Sequence, residues 1–237
     1  MEMKAMLLAA GLGTRLRPLT DKIPKALVEV NGITLLEHSV NHLKKYRINK
    51  VIINVHHFAE QIIGYLGRMN NFGMEITISD ESGELLDTGG GLKKAAWFFK
   101  EGLPFIVRNV DVLSDLDLNK LVLHHFQKNG LATLVVRERA TSRYFLFDEE
   151  LQLCGWENTK TGETRITIPV STGLKQLAFS GIQIIDPKIF DLITETGKFS
   201  LTEMYLRLST EQKIIGYVDR ESLWFDAGKK IHDDMVI

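Results

Sequence analysis

Cysteine is almost absent from this chain, which carries Cys154 and no other cysteine in 237 residues. A single cysteine cannot close an internal disulfide, and it cannot supply the paired thiolates of a CxxC metal site. The sequence also lacks an apolar run long enough to span a membrane. The short apolar stretch "AMLLAAG" is followed at once by charged residues, unlike the cleavage region of a signal peptide. We therefore expect a cytoplasmic protein that does not bind a membrane.

A large net charge of either sign is missing as well. The 29 lysines and arginines nearly cancel the 30 aspartates and glutamates, so the chain lacks the basic field that nucleic-acid binders usually carry. We expect no nucleic-acid partner, and any phosphate site must be local. The hydrophobic content of 44% is enough for one sizeable core in a chain of this length.

The first 80 residues alternate between strand and helix patterns. The apolar runs "KAMLLAA", "KVIINV" and "MEITIS" predict buried strands. Between them, Thr34 and Glu37 form a capping-box pattern at the start of one helix, and "FAEQIIGYLGRM" predicts another. Alternation of this kind is typical of right-handed parallel crossover units. The sequence therefore predicts an α/β fold, a Rossmann-like three-layer α/β/α arrangement with a mostly parallel sheet.

The later part of the chain continues this pattern and then changes. A glycine run opens a helix in "TGGGLKKAAWFF", a strand in "LPFIVRNVD" ends at Asp111, and "LDLNKLVLHHFQKNG" predicts a further helix. After residue 140 short alternating segments predict a small β-rich lobe, followed by strands in "QLAFSGIQIID", "KIIGYV" and "LWFDAG" and by a helix start at Pro187. We expect one domain over residues 1–237.

The segment "LLAAGLGTRLRPLTDKIPKAL" joins the first strand to a loop rich in glycine and positive charge. Ligands of open parallel sheets bind at the carboxyl ends of strands, where this loop begins. Gly11 and Gly13 allow backbone N–H groups to approach a phosphate, Arg15 offers a fork of donors, and Lys25 offers a compact positive charge. The loop is either a polyphosphate cradle or an ordinary solvated basic loop.

Two other classes of glycine loop do not fit this segment. A dinucleotide fingerprint requires a third glycine and a helix directly after it, but "GLGTRL" lacks that glycine and Pro18 interrupts the helix. An acidic residue should also end the next strand, where His56 and His57 stand instead. The P-loop pattern GxxxxGK[ST] is absent. An NAD-dependent oxidoreductase and a P-loop nucleotidase are both poor interpretations.

The pattern "LAAGLGTRLRPLT…PKALV" closely resembles the signature of the sugar-phosphate nucleotidyltransferases, which join a nucleoside triphosphate to a sugar 1-phosphate. Three further segments resemble that family in the same order: "LLDTGGGLKKA", "IVRNVD" and "LWFDAGKK". The resemblance therefore extends along the whole chain. It implies the nucleotide-diphospho-sugar transferase fold, with a nucleotide-binding half at about residues 1–140 and a sugar-binding half at about 141–237.

The same resemblance implies roles for individual residues. Arg15, Lys25, Asp111 and Asp226 would be catalytic, and the two aspartates would hold Mg²⁺ as the cofactor. The nucleotide would contact Leu8, Ala10, Gly11, Gly13, Thr14, Arg15, Gly89, Gly90 and Gly91. The sugar phosphate would contact Lys25, Asn109, Glu157 and Gly181.

This chain departs from the family pattern on the sugar side and at one turn. Val110 replaces the glycine that usually precedes the metal-binding aspartate. The usual Glu-Lys-Pro segment is not evident, so Glu157 and Lys160 in "CGWENTKTGE" are weaker assignments. Gly181 matches an Asn-Ala-Gly segment in which Ser180 differs.

The resemblance implies a nucleoside triphosphate and a sugar 1-phosphate as the partners of this chain. The "TGGG" loop most resembles uridylyltransferases that act on N-acetylmuramate 1-phosphate, and the alternative is GTP with mannose or heptose 1-phosphate. A second alternative is a nucleotide-sugar sensor that keeps the fold without turnover. The β-rich lobe would either form the wall of the sugar pocket or contact a second copy of the chain in a homodimer.

Overall fold

The computed structural model describes residues 2–171 and 173–230. Its helices are α1 (Leu35–Lys45), α2 (Ala59–Arg68), α3 (Asp87–Lys94), α4 (Leu118–Lys128), α5 (Ile189–Leu192), α6 (Leu201–Leu208) and α7 (Ala227–Lys230). The longest of these described helices have 11 residues, and none of them is long and apolar enough to cross a membrane.

The strands begin with the predicted apolar run near the amino terminus. In chain order they are β1 (Lys4–Leu8), β2 (Glu29–Val30), β3 (Ile33–Thr34), β4 (Lys50–Val55), β5 (Glu75–Asp80), β6 (Phe105–Asn109), β7 (Val112–Ser114), β8 (Ala132–Arg137), β9 (Arg143–Phe147), β10 (Leu153–Asn158), β11 (Glu163–Ile166), β12 (Lys175–Ile185), β13 (Ile214–Val218) and β14 (Trp224–Asp226). The strands and helices predicted from the sequence are present, with most ends shifted by no more than three residues. The helix predicted in "TGGGLKKAAWFF" ends earlier, at Lys94, and a short 3-10 helix follows over Ala96–Phe99.

Ten of the described strands form one mixed sheet. Its order is β11-β10-β9-β12-β6-β1-β4-β5, with β8 paired to β12 and β13 paired to β8. The central strands β6, β1, β4 and β5 run parallel, and Leu7 of β1 lies between Ile53 and Arg108. The carboxyl ends of these strands therefore meet at one edge, where ligands of open α/β sheets bind.

Helices cover both faces of this sheet. Val51 and Ile53 of β4 pack in one hydrophobic cluster with α1, α2 and α4, whereas Ile52 packs in the opposite cluster with α3, α5 and α6. A strand that is buried on both faces is apolar at successive positions rather than at alternating ones, which is why "KVIINV" could be recognised. The predicted three-layer α/β/α fold is confirmed.

The predicted β-rich lobe is a continuation of the main sheet rather than a separate sheet. The 11-residue strand β12 pairs with β6 through Gln183 and with β9 through Leu177. Strands β9, β10 and β11 then extend the sheet with antiparallel pairing. Because β12 belongs to both parts, the lobe is joined continuously to the parallel core.

Helix starts follow local side-chain chemistry. Thr34 Oγ1 accepts a hydrogen bond from the Glu37 backbone N–H at 3.1 Å, as the capping pattern predicts. The Glu37 carboxylate instead accepts the hydroxyl of Tyr65 at 2.9 Å, so α1 shows one half of a capping box. Helix α6 was not predicted, although Ser200 caps it through the Glu203 N–H at 3.2 Å. That Ser-x-x-Glu pattern was the signal that sequence reasoning missed.

Strand β14 lies outside the main sheet. It pairs antiparallel with β7, and Asp226 lies opposite Val112 in that pairing. Val112 directly follows Asp111 along the chain. This small two-stranded sheet therefore brings two aspartates that are more than a hundred residues apart in sequence to the same place.

Candidate active site

A cavity of about 440 Å³ opens at the carboxyl ends of three neighbouring parallel strands. Leu8 ends β1, Asn54 lies near the end of β4, and Asn109 ends β6, and all three line the cavity. The loop after β1 forms the largest part of the wall, from Ala9 to Arg15. The cavity is therefore where the topology of the sheet predicts a ligand site.

The glycine-rich loop folds tightly over one side of this cavity. Gly13 has a φ of 66°, a left-handed conformation that favours glycine. A Cβ at this position would lie 2.8 Å from Thr20 Cγ2 and 3.2 Å from Lys25 Cβ. Thr20 Oγ1 donates to the Gly13 carbonyl at 2.8 Å. The close approach at Gly13 thus holds Lys25 against the start of its own loop.

Two buried polar residues that sequence reasoning missed support the loop from beneath. Asn54 Oδ1 accepts from the Ala9 N–H at 2.8 Å, and its Nδ2 donates to Glu81 at 2.8 Å. Glu81 is fully buried and also accepts from the Leu86 N–H at 3.2 Å. Burial raises the pKa of the Glu81 carboxyl, and the two hydrogen bonds oppose that rise. The network ties the first loop to the segment that precedes α3.

Two cations and two carboxylates meet at the mouth of the cavity. Lys25 Nζ is paired with Asp111 Oδ2. The Arg15 guanidinium lies 4.0 Å from Asp111 and 3.9 Å from Asp226. The side chains of Lys25, Asp111 and Asp226 are only 11 to 15% exposed, whereas that of Arg15 is 56% exposed. The arrangement places an exposed guanidinium beside a largely buried group of one cation and two carboxylates.

Backbone contacts fix the position of Asp226 beside Asp111. The Ala227 N–H donates to the Asp111 carbonyl at 3.0 Å, and Asp226 Oδ1 accepts from the Gly228 N–H at 2.9 Å. A Cβ on Gly228 would lie 2.6 Å from Lys25 Nζ and 2.9 Å from Asp111 Oδ2. The glycine therefore leaves the room that the charged side chains occupy.

The residues at the mouth suit Mg²⁺ by the chemistry of their donors. Magnesium is usually held by one or two carboxylates together with substrate phosphates rather than by a cage of protein ligands. Within residues 2–171 and 173–230 there is no cluster of three or more histidine, cysteine, aspartate or glutamate side chains arranged for a metal. Asp111 and Asp226 supply two hard oxygen donors at the edge of a cavity that could hold phosphates.

Most of the nucleotide contacts implied by the first motif lie in the cavity wall. The wall includes Leu8, Ala10, Gly11, Gly13, Thr14, Arg15, Lys25, Asn109 and Asp111. It also includes Leu85, Asp87, Thr88 and Lys198, which were not singled out from the sequence. Asp226 does not line the cavity, and its carboxylate lies 3.9 Å from the Arg15 guanidinium that does.

The three glycines of "TGGG" lie beside the cavity rather than in its wall. The Gly89 and Gly90 N–H groups donate to the Phe199 carbonyl at 2.9 and 3.2 Å. A Cβ on Gly91 would lie 2.6 Å from Glu81 Oε1. The run lets the start of α3 pack closely against the Phe199 segment and the Asn54–Glu81 network. Contact of these glycines with a base stays a prediction.

We expect Gly90→Ala to destabilise the protein by about 1–3 kcal/mol, as overpacking does. A Cβ at Gly90 would lie 2.5 Å from the Gly197 carbonyl oxygen. Gly67→Ala is the matched control in α2, because nothing lies within 4 Å of a Cβ there. That control should gain about 0.5–1 kcal/mol from helix propensity. Urea unfolding of both variants measures the difference, and equal effects would contradict this packing role.

Of the four residues assigned to the sugar phosphate, Lys25 and Asn109 line the cavity, whereas Gly181 lies on β12 and Glu157 on β10. Gly181 has a φ of 76°, and a Cβ there would lie 3.0 Å from Asn109 Nδ2. Glu157 Oε1 is buried, with no hydrogen-bond partner among the described residues. Lys160 is exposed in the turn between β10 and β11. The structure thus brings Gly181 against the cavity wall and leaves Glu157 and Lys160 outside that wall.

A fully buried arginine holds the turn that carries Asp111. Arg108 donates to the Val112 carbonyl at 2.5 Å and to His42 Nδ1. His42 accepts at Nδ1, so its proton is on Nε2, which donates to the Leu116 carbonyl at 2.9 Å. Two side chains therefore tie the backbone after Asp111 to strand β6 and helix α1.

This arrangement predicts a pH-dependent stability. Burial, reinforced by the Arg108 charge, lowers the pKa of His42 from 6.5 to about 4. A histidine with a depressed folded pKa is protonated first in the unfolded state, so stability is lost as the pH falls from 6.5 towards 4. Between pH 7 and pH 5 the loss from this group should be about 2 kcal/mol.

His42→Gln isolates that contribution. A glutamine amide can accept from Arg108 and donate to Leu116 without gaining a proton. Urea unfolding at both pH values should show the unsubstituted protein losing about 2 kcal/mol more than this variant. Equal losses would mean that His42 does not titrate in this way.

Comparison with known proteins identifies the family of this chain. Residues 4–231 match the model of the nucleotidyl transferase family. The chain belongs to the nucleotidyl transferase family. The resemblance seen in the sequence motifs is therefore confirmed.

Members of the nucleotidyl transferase family that resemble this chain differ in their named substrates. This chain is 33% identical over 230 residues to the N-acetylmuramate alpha-1-phosphate uridylyltransferase of Caulobacter vibrioides, and the match covers 94% of this chain and 91% of that protein. It is 29% identical over 244 residues to the UTP–glucose-1-phosphate uridylyltransferase of Synechocystis sp., covering 96% of this chain and 60% of that relative. It is 30% identical over 230 residues to the mannose-1-phosphate guanyltransferase of Yarrowia lipolytica, covering 96% and 61%. The chain thus spans about three fifths of the length of the latter two relatives.

Solved structures show the same fold. HddC from Yersinia pseudotuberculosis, complexed with GMP-PN, superposes with a TM-score of 0.74 at 21% identity, covering 95% of this chain and 94% of that chain. A UDP-glucose pyrophosphorylase complexed with UDP-glucose gives a TM-score of 0.75 at 18% identity, covering 96% and 94%. Because both identities are below 25%, these two structures support the fold of this chain and nothing further.

Proposed function

We propose that this chain joins a nucleoside triphosphate to a sugar 1-phosphate, giving a nucleoside diphosphate sugar and pyrophosphate. The observation that carries the proposal is the meeting of Arg15, Lys25, Asp111 and Asp226 at the mouth of a glycine-lined cavity. Cations, backbone donors and carboxylates are the groups that a reaction between two phosphate anions requires.

In this reaction an oxygen of the sugar phosphate attacks the α-phosphorus of the nucleotide. A new P–O bond forms as the bond to the β-phosphate breaks, and the electron pair leaves with pyrophosphate. A phosphate oxygen is already ionised, so no general base is needed. The main obstacle is the repulsion and alignment of two anions.

The two cations have distinct positions and therefore distinct proposed roles. Arg15 is exposed and extends over the cavity, where it can reach the β- and γ-phosphates and stabilise charge on the leaving pyrophosphate. Lys25 is buried against Asp111, where it can contact the α-phosphate or the attacking phosphate. Asp111 and Asp226 would hold Mg²⁺, which when bound neutralises phosphate charge.

The division of the cavity wall supports the proposed halves of the site. All the wall residues except Lys198 precede residue 140, which fits a nucleotide-binding half at about 1–140. The sugar would then lie towards Gly181 and Glu157 in the half from about 141 to 237. In this proposal the lobe either forms the wall of the sugar pocket or contacts a second copy of the chain in a homodimer.

For substrates we favour UTP and N-acetylmuramate 1-phosphate. The support is that uridylyltransferases with this acceptor in their name match over nearly their whole length, whereas the guanyltransferases match over about three fifths of theirs. The product would be a UDP-activated cell-wall sugar made in the cytoplasm. GTP with mannose or heptose 1-phosphate is the second candidate.

Pyrophosphate release in the presence of Mg²⁺ tests this choice. UTP, GTP, CTP, ATP and dTTP are each combined with the 1-phosphates of N-acetylmuramate, N-acetylglucosamine, glucose, mannose and heptose. We expect the highest kcat/KM with UTP and N-acetylmuramate 1-phosphate. Preference for GTP with mannose or heptose would overturn the substrate choice, and tight nucleotide binding without turnover would favour the sensor alternative.

A further inference from the structure

Arg139, just after β8, is a partly buried cation that lies against Phe179 of β12 and Trp224 of β14. One of its terminal nitrogens donates to the Phe179 carbonyl at 2.9 Å. Its guanidinium carbon lies 4.3 Å from the centre of the Trp224 ring, a cation–π arrangement that holds the plane of the group. Its Nε is buried and has no hydrogen-bond partner among the described residues.

The charge of Arg139 has no close carboxylate. Within the part of the chain that the structure describes, no aspartate or glutamate oxygen lies within 4.0 Å of it, whereas the neighbouring Arg137 pairs with Asp219 at 2.7 Å. Burial lowers the pKa of Arg139, and the more distant Asp226 opposes that shift. Burying a charge without a close partner is costly, so an anion bound here would gain a well-placed partner.

Contacts along β12 connect Arg139 to the proposed reaction site. The Phe179 carbonyl accepts from Arg139, the next carbonyl, of Ser180, accepts from Trp224 Nε1 at 2.9 Å, and Gly181 then packs against Asn109 of the cavity wall. Trp224 is two residues before Asp226. Arg139 therefore packs against the strand that carries Asp226.

A second buried polar atom without a hydrogen-bond partner among the described residues belongs to β10. Glu157 of β10 is directly opposite Tyr144 of β9, and Tyr144 is near enough to Arg139 to interact with it electrostatically. Glu157 Oε1 is buried with no hydrogen-bond partner among the described residues. A carboxylate that can accept from sugar hydroxyls and a guanidinium that can donate to an anion would together suit an acidic sugar.

We propose that Arg139 binds the carboxylate of a sugar-acid 1-phosphate and so selects an acidic acceptor over a neutral one. This inference rests on the proposed function. The reacting phosphate would be held near Lys25 and Arg15, which leaves Arg139 for a second anionic group at the far side of the sugar. N-acetylmuramate carries such a group in its lactyl ether, and N-acetylglucosamine lacks it.

The test compares these two acceptors with UTP. For Arg139→Gln we expect KM for N-acetylmuramate 1-phosphate to rise about 10- to 100-fold, as loss of a hydrogen bond to a charged group implies. The kcat of this variant with N-acetylmuramate 1-phosphate should change less than about threefold. Its kcat and KM with N-acetylglucosamine 1-phosphate should likewise change less than about threefold. Arg139→Lys should recover part of the selectivity, because it keeps the charge but loses the fork. Arg143→Gln, an exposed arginine on β9, is the matched control.

Two other outcomes of the kinetic comparison would overturn the assignment of Arg139. An equal rise in KM for both acceptors would place the 1-phosphate at Arg139, and unchanged constants would remove Arg139 from the acceptor site. If the unsubstituted protein turns over neither acceptor with UTP, the proposed choice of substrates fails. Calorimetric binding of N-acetylmuramate 1-phosphate then tests Arg139 separately: weaker binding to Arg139→Gln supports the carboxylate contact, whereas equal or absent binding refutes it.

Discussion

Replacing Arg15 by alanine is expected to lower kcat about 100-fold or more, as removal of a transition-state donor does. Arg15 is the exposed cation over the cavity, within 4.0 Å of both carboxylates. Charge accumulates on the departing pyrophosphate in the proposed reaction, and no other cation in the glycine-rich loop lines the cavity besides the buried Lys25. Steady-state rates of pyrophosphate release measure the effect.

Arg17→Ala is the matched control for that experiment. Arg17 belongs to the same loop but pairs with Asp21 at 3.3 Å and is 65% exposed. It does not line the cavity, so its removal should leave kcat within about threefold, since exposed ion pairs contribute little. Near-normal turnover of Arg15→Ala, or an equal loss with Arg17→Ala, would contradict the proposed role of Arg15.

Asp111→Asn should lower kcat about 100- to 1,000-fold, judged by the loss of other groups that stabilise developing charge. The amide keeps the shape of the side chain but removes the negative charge that pairs with Lys25. It is also a poorer magnesium ligand, so the Mg²⁺ concentration that gives half the maximal rate should rise by about tenfold or more. A magnesium titration of the rate separates this effect from a general loss of activity.

Asp21→Asn is the control for the carboxylate. Asp21 is in the same loop region, 51% exposed and paired with Arg17, and we expect its magnesium dependence to stay unchanged. If Asp111→Asn kept the original magnesium requirement and turnover, Asp111 would not be the metal-binding residue.

The sequence predicted the elements of this fold well because local signals and tertiary packing agree. The run "KVIINV" is apolar at four of its five buried positions and is buried on both faces of the sheet. Thr34 caps α1 as its position predicts. The glycine-rich loop could be placed at a strand end because Gly11 directly follows an apolar run, and its lysine and arginine lie where a phosphate could be held.

Features made by distant residues were not accessible in the same way. The pairing of β14 with β7 places Asp226 beside Asp111, and only the family resemblance anticipated it. The Asn54–Glu81 hydrogen bond joins two strand ends whose residues carry no motif. The "TGGG" run was assigned to ligand contact, but its close packing against Phe199 depends on a segment more than a hundred residues away.

The most direct test of the account follows the oxygen atoms of the acceptor. N-acetylmuramate 1-phosphate labelled with ¹⁸O in its phosphate is incubated with UTP, Mg²⁺ and the protein, and both products are analysed by mass spectrometry. The account predicts release of unlabelled pyrophosphate and a UDP-sugar that retains the whole label, one labelled oxygen having become the bridge between the phosphates. Label in the pyrophosphate, or no pyrophosphate with any acceptor of the panel, would contradict the proposed attack on the α-phosphorus.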